Sequence, residues 1–283
     1  MKVLVTGAYG QLGRSLYKNR NESIKYLWTG KNIPLGGDGI HLDILDRINL
    51  KELINFCSPD VIINLAALTN VDLCEKNPLL AQEINAKGVK NICENFSGKI
   101  IQISTDYVFN GEKGPYSEDD EVAPLSIYGA TKLEAEKIVM SHSSENLILR
   151  ANVLYDYDTQ SKASFLNWVV NSLQQKKPIK VVNDQVCNPT WTESIAKTIL
   201  SCIENNINGI YHWGDAEFLS RYEFALKIAR SFKLDTNLIS PILTEELDQI
   251  APRPLNSGLK SHKLLKVLDI HQPSINECLK KII

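Results

Sequence analysis

The sequence predicts an α/β chain, a doubly wound parallel sheet followed by a smaller lobe. Three observations carry the prediction. Short apolar runs alternate with longer amphipathic stretches from residue 2 to about residue 150. The first of these runs leads straight into three regularly spaced glycines. After Arg150 the rhythm loosens, with no linker to separate a second unit. At 283 residues the chain is longer than one average domain and shorter than three. It can bury a large core without disulfides or metals.

In chain order, Lys2–Thr6 reads as a buried strand and Gln11–Asn19 as the helix after it. Ile24–Thr29 is a second strand. Asp60–Leu65 (DVIINL) is a third, followed by a helix over Leu79–Phe96. Lys99–Ser104 (KIIQIS) is a strand, Ile127–Ser141 a helix and Asn146–Arg150 a strand. Uninterrupted apolar strands joined through helices imply a parallel sheet covered on both faces. Beyond it, Ser161–Gln175, Trp191–Glu204 and Ser220–Phe232 read as helices, and Pro178–Val182 and Gly209–Trp213 as short strands. Ser220 with Glu223 has the spacing of a capping box. Asp248–Gly258 is rich in proline and polar residues and reads as a loop. No repeat or low-complexity tract interrupts the chain.

Composition narrows the function classes. Hydrophobic residues make up 43% and charged residues 23%, with a formal net charge of −2. That balance argues against a nucleic-acid or anionic-membrane partner. The six cysteines include no C-x-x-C pair and no histidine at metal-ligand spacing, so they read as reduced, buried thiols and no metal is expected. No stretch approaches the roughly 20 apolar residues of a membrane span. Val3–Val5 is too short for a signal-peptide core, so a cytoplasmic protein is expected.

Gly7, Gly10 and Gly13 give G-x-x-G-x-x-G between the first strand and the first helix. In that context Gly7 permits a tight turn, Gly10 lets the backbone approach a pyrophosphate, and Gly13 lets helix and strand pack closely. The N–H groups of the helix start, around Gln11 and Leu12, face the anion. This is the fingerprint of a dinucleotide-binding Rossmann fold. The second strand ends Leu27-Trp28-Thr29-Gly30-Lys31. It offers no carboxylate for a ribose 2′-hydroxyl, and Lys31 suits an extra phosphate, which favours NADPH over NADH. Asp43 and Ile44 are placed to meet the adenine, unless Asp43 simply caps a helix. Small Ala66 and Ala67 would let the cofactor lie against the sheet end.

Ser126–Lys132 contains Tyr128-x-x-x-Lys132. Residues four apart share a helix face, so the phenol and the ammonium approach one small volume. A nearby cation is expected to lower the phenol pKa toward the working range.

The blocks VTGAYGQLG (5–13), DVIINLAALTNVDLCE (60–75), STDYVFNG (104–111), YGATKLEAE (128–136), DQVCNPTW (184–191) and PRPLNSGL (252–259) together resemble the extended short-chain dehydrogenase/reductases. Among these the chain is most similar to the dTDP-4-dehydrorhamnose reductase family, in deoxysugar and cell-surface polysaccharide biosynthesis. The resemblance implies reduction of the C4 ketone of a nucleotide-diphosphate sugar, with Thr105, Tyr128 and Lys132 as catalytic residues. It adds Thr69 to the cofactor wall. It places Asp106 and Val108 at the sugar, with Asn188, Trp191 and Arg253 toward the nucleotide. Dehydratases of the superfamily carry an Asp-Glu pair after the threonine. Here Tyr107 stands where the glutamate would be, which favours a simple reductase.

Two positions depart from the family. An Arg-Thr-Ser-Trp stretch is replaced by Arg150-Ala151-Asn152-Val153, which removes an aromatic surface from the sugar site. Ser15 stands where some members carry a metal-bridging glutamate, although Glu193 is kept, and a homodimer stays open. The resulting division is a dinucleotide-binding domain over 1–152 and a mainly substrate-binding lobe over 153–283. Within the lobe, roughly 178–213 would return to the first sheet. Two other readings stay open. One is an epimerase or dehydratase with tightly held NAD. The other is a non-catalytic NADP-binding subunit like that of methionine adenosyltransferase.

Overall fold

β1 (Lys2–Thr6) buries Val3, Leu4 and Val5 completely and turns at Gly7 into α1 (Gln11–Asn19). This computed structural model describes residues 1–34, 37–157 and 164–283. β2 (Lys25–Gly30) and a two-residue β3 (Ile40–His41) follow. α2 (Arg47–Cys57), whose N-cap Asp46 accepts from the Asn49 N–H, leads into β4 (Val61–Asn64). α3 (Val71–Lys76), α4 (Pro78–Gln82) and α5 (Gly88–Asn95) come next, with a π-helical turn over Glu83–Lys87 between the last two. β5 (Lys99–Thr105), α6 (Ile127–His142) and β6 (Leu147–Ala151) complete the regular alternation. The remainder is β7 (Leu154–Tyr155), α7 (Phe165–Gln174), β8 (Ile179–Val182), β9 (Val186–Cys187), β10 (Thr190–Trp191), α8 (Thr192–Glu204) and β11 (Gly209–Trp213). After it come β12 (Leu219–Ser220), α9 (Arg221–Ser231), β13 (Ile239–Ile242), α10 (His262–Leu265) and α11 (Ile275–Ile282).

Seven strands form one parallel sheet in the order β11-β6-β5-β4-β1-β2-β3. Strand order runs outward from β1 in one direction through β2 and β3, then restarts on its other side with β4. The carboxyl ends around that reversal are where an open α/β sheet forms its crevice. Val3 and Val5 pack on one face with Leu12, Leu16, Ile195 and Ile199, so α1 and α8 cover that side. Leu4, Ile62, Ile100 and Ile148 pack on the other with Leu50, Ile92 and Val139, from α2, α5 and α6. Continuous apolar strands follow from this two-sided burial.

A separate core of Tyr155, Leu166, Val170, Trp191, Phe224 and Leu279 holds the second lobe. Its strands are short and pair two by two. Of the stretch 178–213, α8 and β11 lie on the large sheet, whereas β8 pairs with β13 inside the second lobe. β8 therefore differs from the sequence expectation, because Ile179 and Val181 face the second core rather than the first. The helix expected over 161–175 is seen from Phe165 onward, and its first residues lie outside the described residues. The capping box of α9 is formed by both partners, Ser220 and Glu223. The segment 248–258 contains neither helix nor strand.

One charged network is buried beneath the sheet. Arg150 on β6 donates to both carboxylate oxygens of Glu136 on α6, at 2.9 and 2.7 Å, and both side chains are 3% exposed. Its other arm reaches His212 Nε2 on β11 at 3.2 Å, and the guanidinium lies over the Phe109 ring. Arginine only donates, so His212 Nε2 accepts. Nδ1, 3.2 Å from the Tyr116 carbonyl oxygen, then carries the proton. Burial and the Arg150 charge push the His212 pKa down to about 3. An unfolded histidine titrates near 6.5, so the unfolded chain takes up a proton that the folded chain refuses. This contribution is present above about pH 6.5 and is lost as the pH falls through 6.5 toward 3. His212→Gln keeps one donor and one acceptor but does not titrate. The stability advantage of the parent over this variant should shrink by up to about 1.4 kcal/mol per pH unit below pH 6. Denaturant melts of both proteins at stepped pH check this, and an advantage that does not vary with pH would refute it.

Candidate active site

The carboxyl ends of β1, β4, β5 and β6 open into a cleft of about 950 Å³. Its floor is the glycine loop. Gly7 has φ +64°, and a Cβ there would come within 2.6 Å of the Ala66 backbone nitrogen. A Cβ on Gly13 would sit 2.2 Å from the Ala8 carbonyl oxygen. These two positions accept only glycine, one for conformation and one for space. No side chain caps α1, so its first N–H groups point into the cleft mouth without a side-chain acceptor. Gln11 Nε2 and Ser104 Oγ, buried on the cleft wall, also lack a hydrogen-bond partner. Leaving such groups unpaired costs about 1–3 kcal/mol each.

The outer end of the cleft holds Lys31, Asp43 and Ile44, with Arg14 and Asn32. Lys31 Nζ lies 2.8 Å from Asp43 Oδ2, an ion pair that the sequence reading, which took Lys31 as a separate cation, did not foresee. Burial raises the Asp43 carboxyl, but the Lys31 bond and the Leu45 N–H outweigh it and hold the group below its ordinary range. Ala66, Ala67 and Thr69 form the wall at the end of β4. Behind them a polar chain crosses the sheet. Thr6 Oγ1 donates to Asn64 Oδ1 at 2.5 Å, and Asn64 Nδ2 donates to Gln102 Oε1 at 2.7 Å. Arg14, Asn64 and Gln102 carry no motif that would have marked them in the sequence.

Thr105, Tyr128 and Lys132 meet on the inner wall of the same cleft. β5 delivers Thr105 at its last residue. Ser126 caps α6 by accepting from the Gly129 N–H, which places Tyr128 and Lys132 one turn apart. The Tyr128 ring stands edge-on to Tyr107, with centroids 5.6 Å apart. Lys132 Nζ donates to the Ile103 carbonyl oxygen at 2.6 Å. Burial drives the Tyr128 phenol above its ordinary range, and the neighbouring Thr105 hydroxyl offsets only part of that. The expected lowering by Lys132 is therefore overturned: burial dominates, and the ammonium is turned toward a carbonyl. Burial also pushes Lys132 down to about 8, against the pull of Glu136.

Asp106 is buried beneath this wall. It accepts from Ser257 Oγ at 2.5 Å and from Thr105 Oγ1 at 3.1 Å. Burial raises its pKa to about 6, which those two hydroxyls partly oppose. Asp106 thus ties the end of β5 to the loop carrying Ser257.

Four residues expected at the substrate do not line the cleft. Val108 is fully buried with Phe109, Tyr116 and Leu259. Asn188 is fully buried, and its Nδ2 donates to the carbonyl oxygens of Asp215 and Leu259. Trp191 packs in the second core, with its buried indole N–H lacking a hydrogen-bond partner. Arg253 donates to Asp72 Oδ1 at 2.9 Å and to the Ala251 carbonyl oxygen, so it ties the second lobe to α3. The cleft instead gains Val153, Leu154, Phe165 and Arg221 from the second lobe. Val153 adopts φ +42°, rare for a β-branched residue. Glu193 pairs with Lys197 at 2.5 Å. None of the described helices is long and apolar enough to cross a membrane.

The family model described as RmlD substrate binding domain matches residues 1–283. The chain is 32% identical to a dTDP-4-dehydrorhamnose reductase of Aggregatibacter actinomycetemcomitans, over 99% of this chain and 98% of that protein. It is equally 32% identical to methionine adenosyltransferase 2 subunit beta of Xenopus tropicalis, over 94% and 82%. Among solved structures, it is similar to a dTDP-4-dehydrorhamnose reductase from Bacillus anthracis in complex with NADP. That match has 31% identity and a TM-score of 0.91, and covers 99% of this chain and 98% of that one.

Proposed function

The chain belongs to the RmlD substrate binding domain family, and on that premise we propose that it reduces the C4 ketone of a nucleotide-activated 4-keto-6-deoxysugar with NADPH. A soluble cytoplasmic role in deoxysugar biosynthesis goes with this reading. The observation that carries it is the shared cleft. Thr105, Tyr128 and Lys132 line the same space as the glycine loop.

The residues present fit a nicotinamide dinucleotide. Gly7 and Gly13 let the loop close against the Ala66 and Ala8 backbone, Gly10 leaves its own backbone open on the cleft, and Gln11 Nε2 and Ser104 Oγ are buried donors in need of acceptors. Gly7, Gly10, Gln11, Leu12 and Gly13 would hold the pyrophosphate. Lys31, Asp43 and Ile44 would take the adenosine end, Ala66, Ala67 and Thr69 the middle, and Tyr128 and Lys132 the nicotinamide ribose. When bound, the cofactor supplies the hydride that reduces C4.

The remaining work falls to this chain's own groups. Tyr128, protonated because its phenol is raised, gives its proton to the C4 oxygen as negative charge builds there. Thr105 would turn its single hydroxyl proton from Asp106 to the same oxygen, while the Tyr107 N–H holds its Oγ1 in place. Lys132 keeps a positive charge beside the developing alkoxide. Tyr107 offers a phenol pushed by burial to about 12, which is no base for removing a proton and eliminating water. That supports a reductase over a dehydratase.

The test is loss of nicotinamide absorbance with a dTDP-4-keto-6-deoxysugar made in situ, with and without a 3,5-epimerase. Consumption only with the epimerase points to an L-sugar substrate, and consumption without it to a D-sugar. If no dTDP-, GDP- or UDP-keto sugar supports consumption, the reductase reading fails and a non-catalytic subunit takes its place. NADH is the alternative reductant. Lys31→Ala should raise the KM for NADPH about ten-fold while leaving that for NADH within two-fold, as loss of one phosphate contact implies. Equal effects on both cofactors would remove Lys31 from cofactor selection.

A further inference from the structure

The cleft wall carries four cationic side chains among the described residues, Arg14, Lys31, Lys132 and Arg221. The first three belong to the sheet domain, where they serve the glycine loop and the tyrosine. Only Arg221 comes from the second lobe. It is the first residue of α9, and its guanidinium lies 5.4 Å over the Phe165 ring. That stacking fixes its direction without neutralising it. Among the described residues it makes no ion pair within 4 Å and no side-chain hydrogen bond. Two other arginines show the contrast: Arg150 is forked onto Glu136, and Arg253 is held by Asp72.

Arg221 also lines a small recess behind the cleft with Asp106, Tyr107, Gln185 and Ser257. Its charge opposes the burial that raises the Asp106 and Tyr107 pKa values, without cancelling it. A cation so placed joins the recess by Asp106 and Tyr107 to the cleft that the glycine loop floors. A nucleotide sugar with its ketone at Tyr128 must extend that way, because the loop side is taken by the cofactor.

We propose that Arg221, held over Phe165, binds the diphosphate of the nucleotide sugar, in the role that the resemblance gives to Arg253. This rests on the nucleotide-sugar reading above. Arg253 is a strap between the lobes instead, its charge paired with Asp72 and one further N–H given to the Ala251 carbonyl.

The test is calorimetric binding of dTDP, thymidine and inorganic pyrophosphate to the NADP⁺-loaded protein, in the parent and in Arg221→Gln, Arg221→Lys and Arg253→Gln. Loss of a charge-assisted, bidentate contact should weaken dTDP and pyrophosphate about 10–100-fold in Arg221→Gln, with thymidine and NADP⁺ unchanged. Arg221→Lys should recover part of the loss, since lysine keeps the charge but not the fork. Arg253→Gln should bind dTDP within about two-fold of the parent and unfold at lower temperature. Unchanged dTDP binding in Arg221→Gln overturns the proposal. So do equal losses for thymidine and dTDP, a larger loss in Arg253→Gln, or a parent protein that binds neither dTDP nor pyrophosphate. Intact dTDP binding with no turnover of any keto sugar would overturn the reductase reading and leave the anchor standing.

Discussion

Tyr128→Phe is expected to lower turnover about a thousand-fold while leaving NADPH affinity within about two-fold. Removing a positioned general acid typically costs 10²–10⁴ in rate. A thousand-fold corresponds to about 4 kcal/mol of transition-state stabilisation. The substitution deletes one oxygen and keeps the ring, which packs with Cys74, Ala81 and Tyr107. Folding and the cofactor end of the cleft should therefore be untouched. The raised phenol predicts that the acid form persists across neutral pH, so turnover should show no alkaline limb from Tyr128 below about pH 10. Single-turnover rates and cofactor fluorescence separate chemistry from binding. Activity within ten-fold of the parent would sink the assignment of Tyr128 as proton donor.

Glu136→Leu is expected to destabilise the fold by about 3–5 kcal/mol. The substitution leaves the Arg150 guanidinium buried with no carboxylate to answer it, and only His212 and Phe109 nearby. In a chain of this size the unfolding temperature should fall by roughly 10 °C. The double variant Glu136→Leu with Arg150→Met should recover much of the loss, because both charges leave together. A double variant no better than Glu136→Leu alone would mean that shape rather than charge is what the pair supplies. Glu136 also raises the pKa of Lys132, one helical turn away. Its loss should move the alkaline limb of turnover to lower pH in whatever fraction remains folded. The same residue thus links the stability of α6 to the charge state of the cleft.

The sheet was legible because burial on both faces writes itself as continuous apolar runs. Val3–Val5, Ile62–Ile63 and Leu147–Leu149 could hardly be anything else. α1 followed from the glycines, and α9 from its capping box. α2 has no counterpart in the sequence reading. Two of its apolar residues, Ile48 and Phe56, face solvent and blur the periodicity that Leu50 and Ile54 establish. Strands of two residues such as β7, β9, β10 and β12 are too short to carry a period at all.

The cleft was legible where its chemistry is local, in the glycine loop and in Tyr128 with Lys132. It was not legible where the partner is distant in sequence. Nothing in the spacing shows that Arg253 would be taken by Asp72, 181 residues away, or that Asn188 would be spent on the carbonyls of Asp215 and Leu259. Arg221 followed no motif. It is exposed by elimination, once the partners of the other arginines are known.

The hydrogen bond from Ser257 to Asp106 has a consequence for how this architecture can be rebuilt. It joins positions 151 residues apart, and Asn256 N–H to the Gly111 carbonyl oxygen makes a second stitch beside it. The strand that ends in the threonine and the loop that braces it are therefore inherited as a pair. A recombinant in which the sheet half of one homologue is fused after β6 to the lobe of another would keep every residue proposed above to hold the cofactor. It would still inherit a foreign brace beneath its threonine. Grafting sugar specificity onto this scaffold therefore has to carry the 252–259 loop with the sheet it braces, rather than with the lobe in which it is encoded.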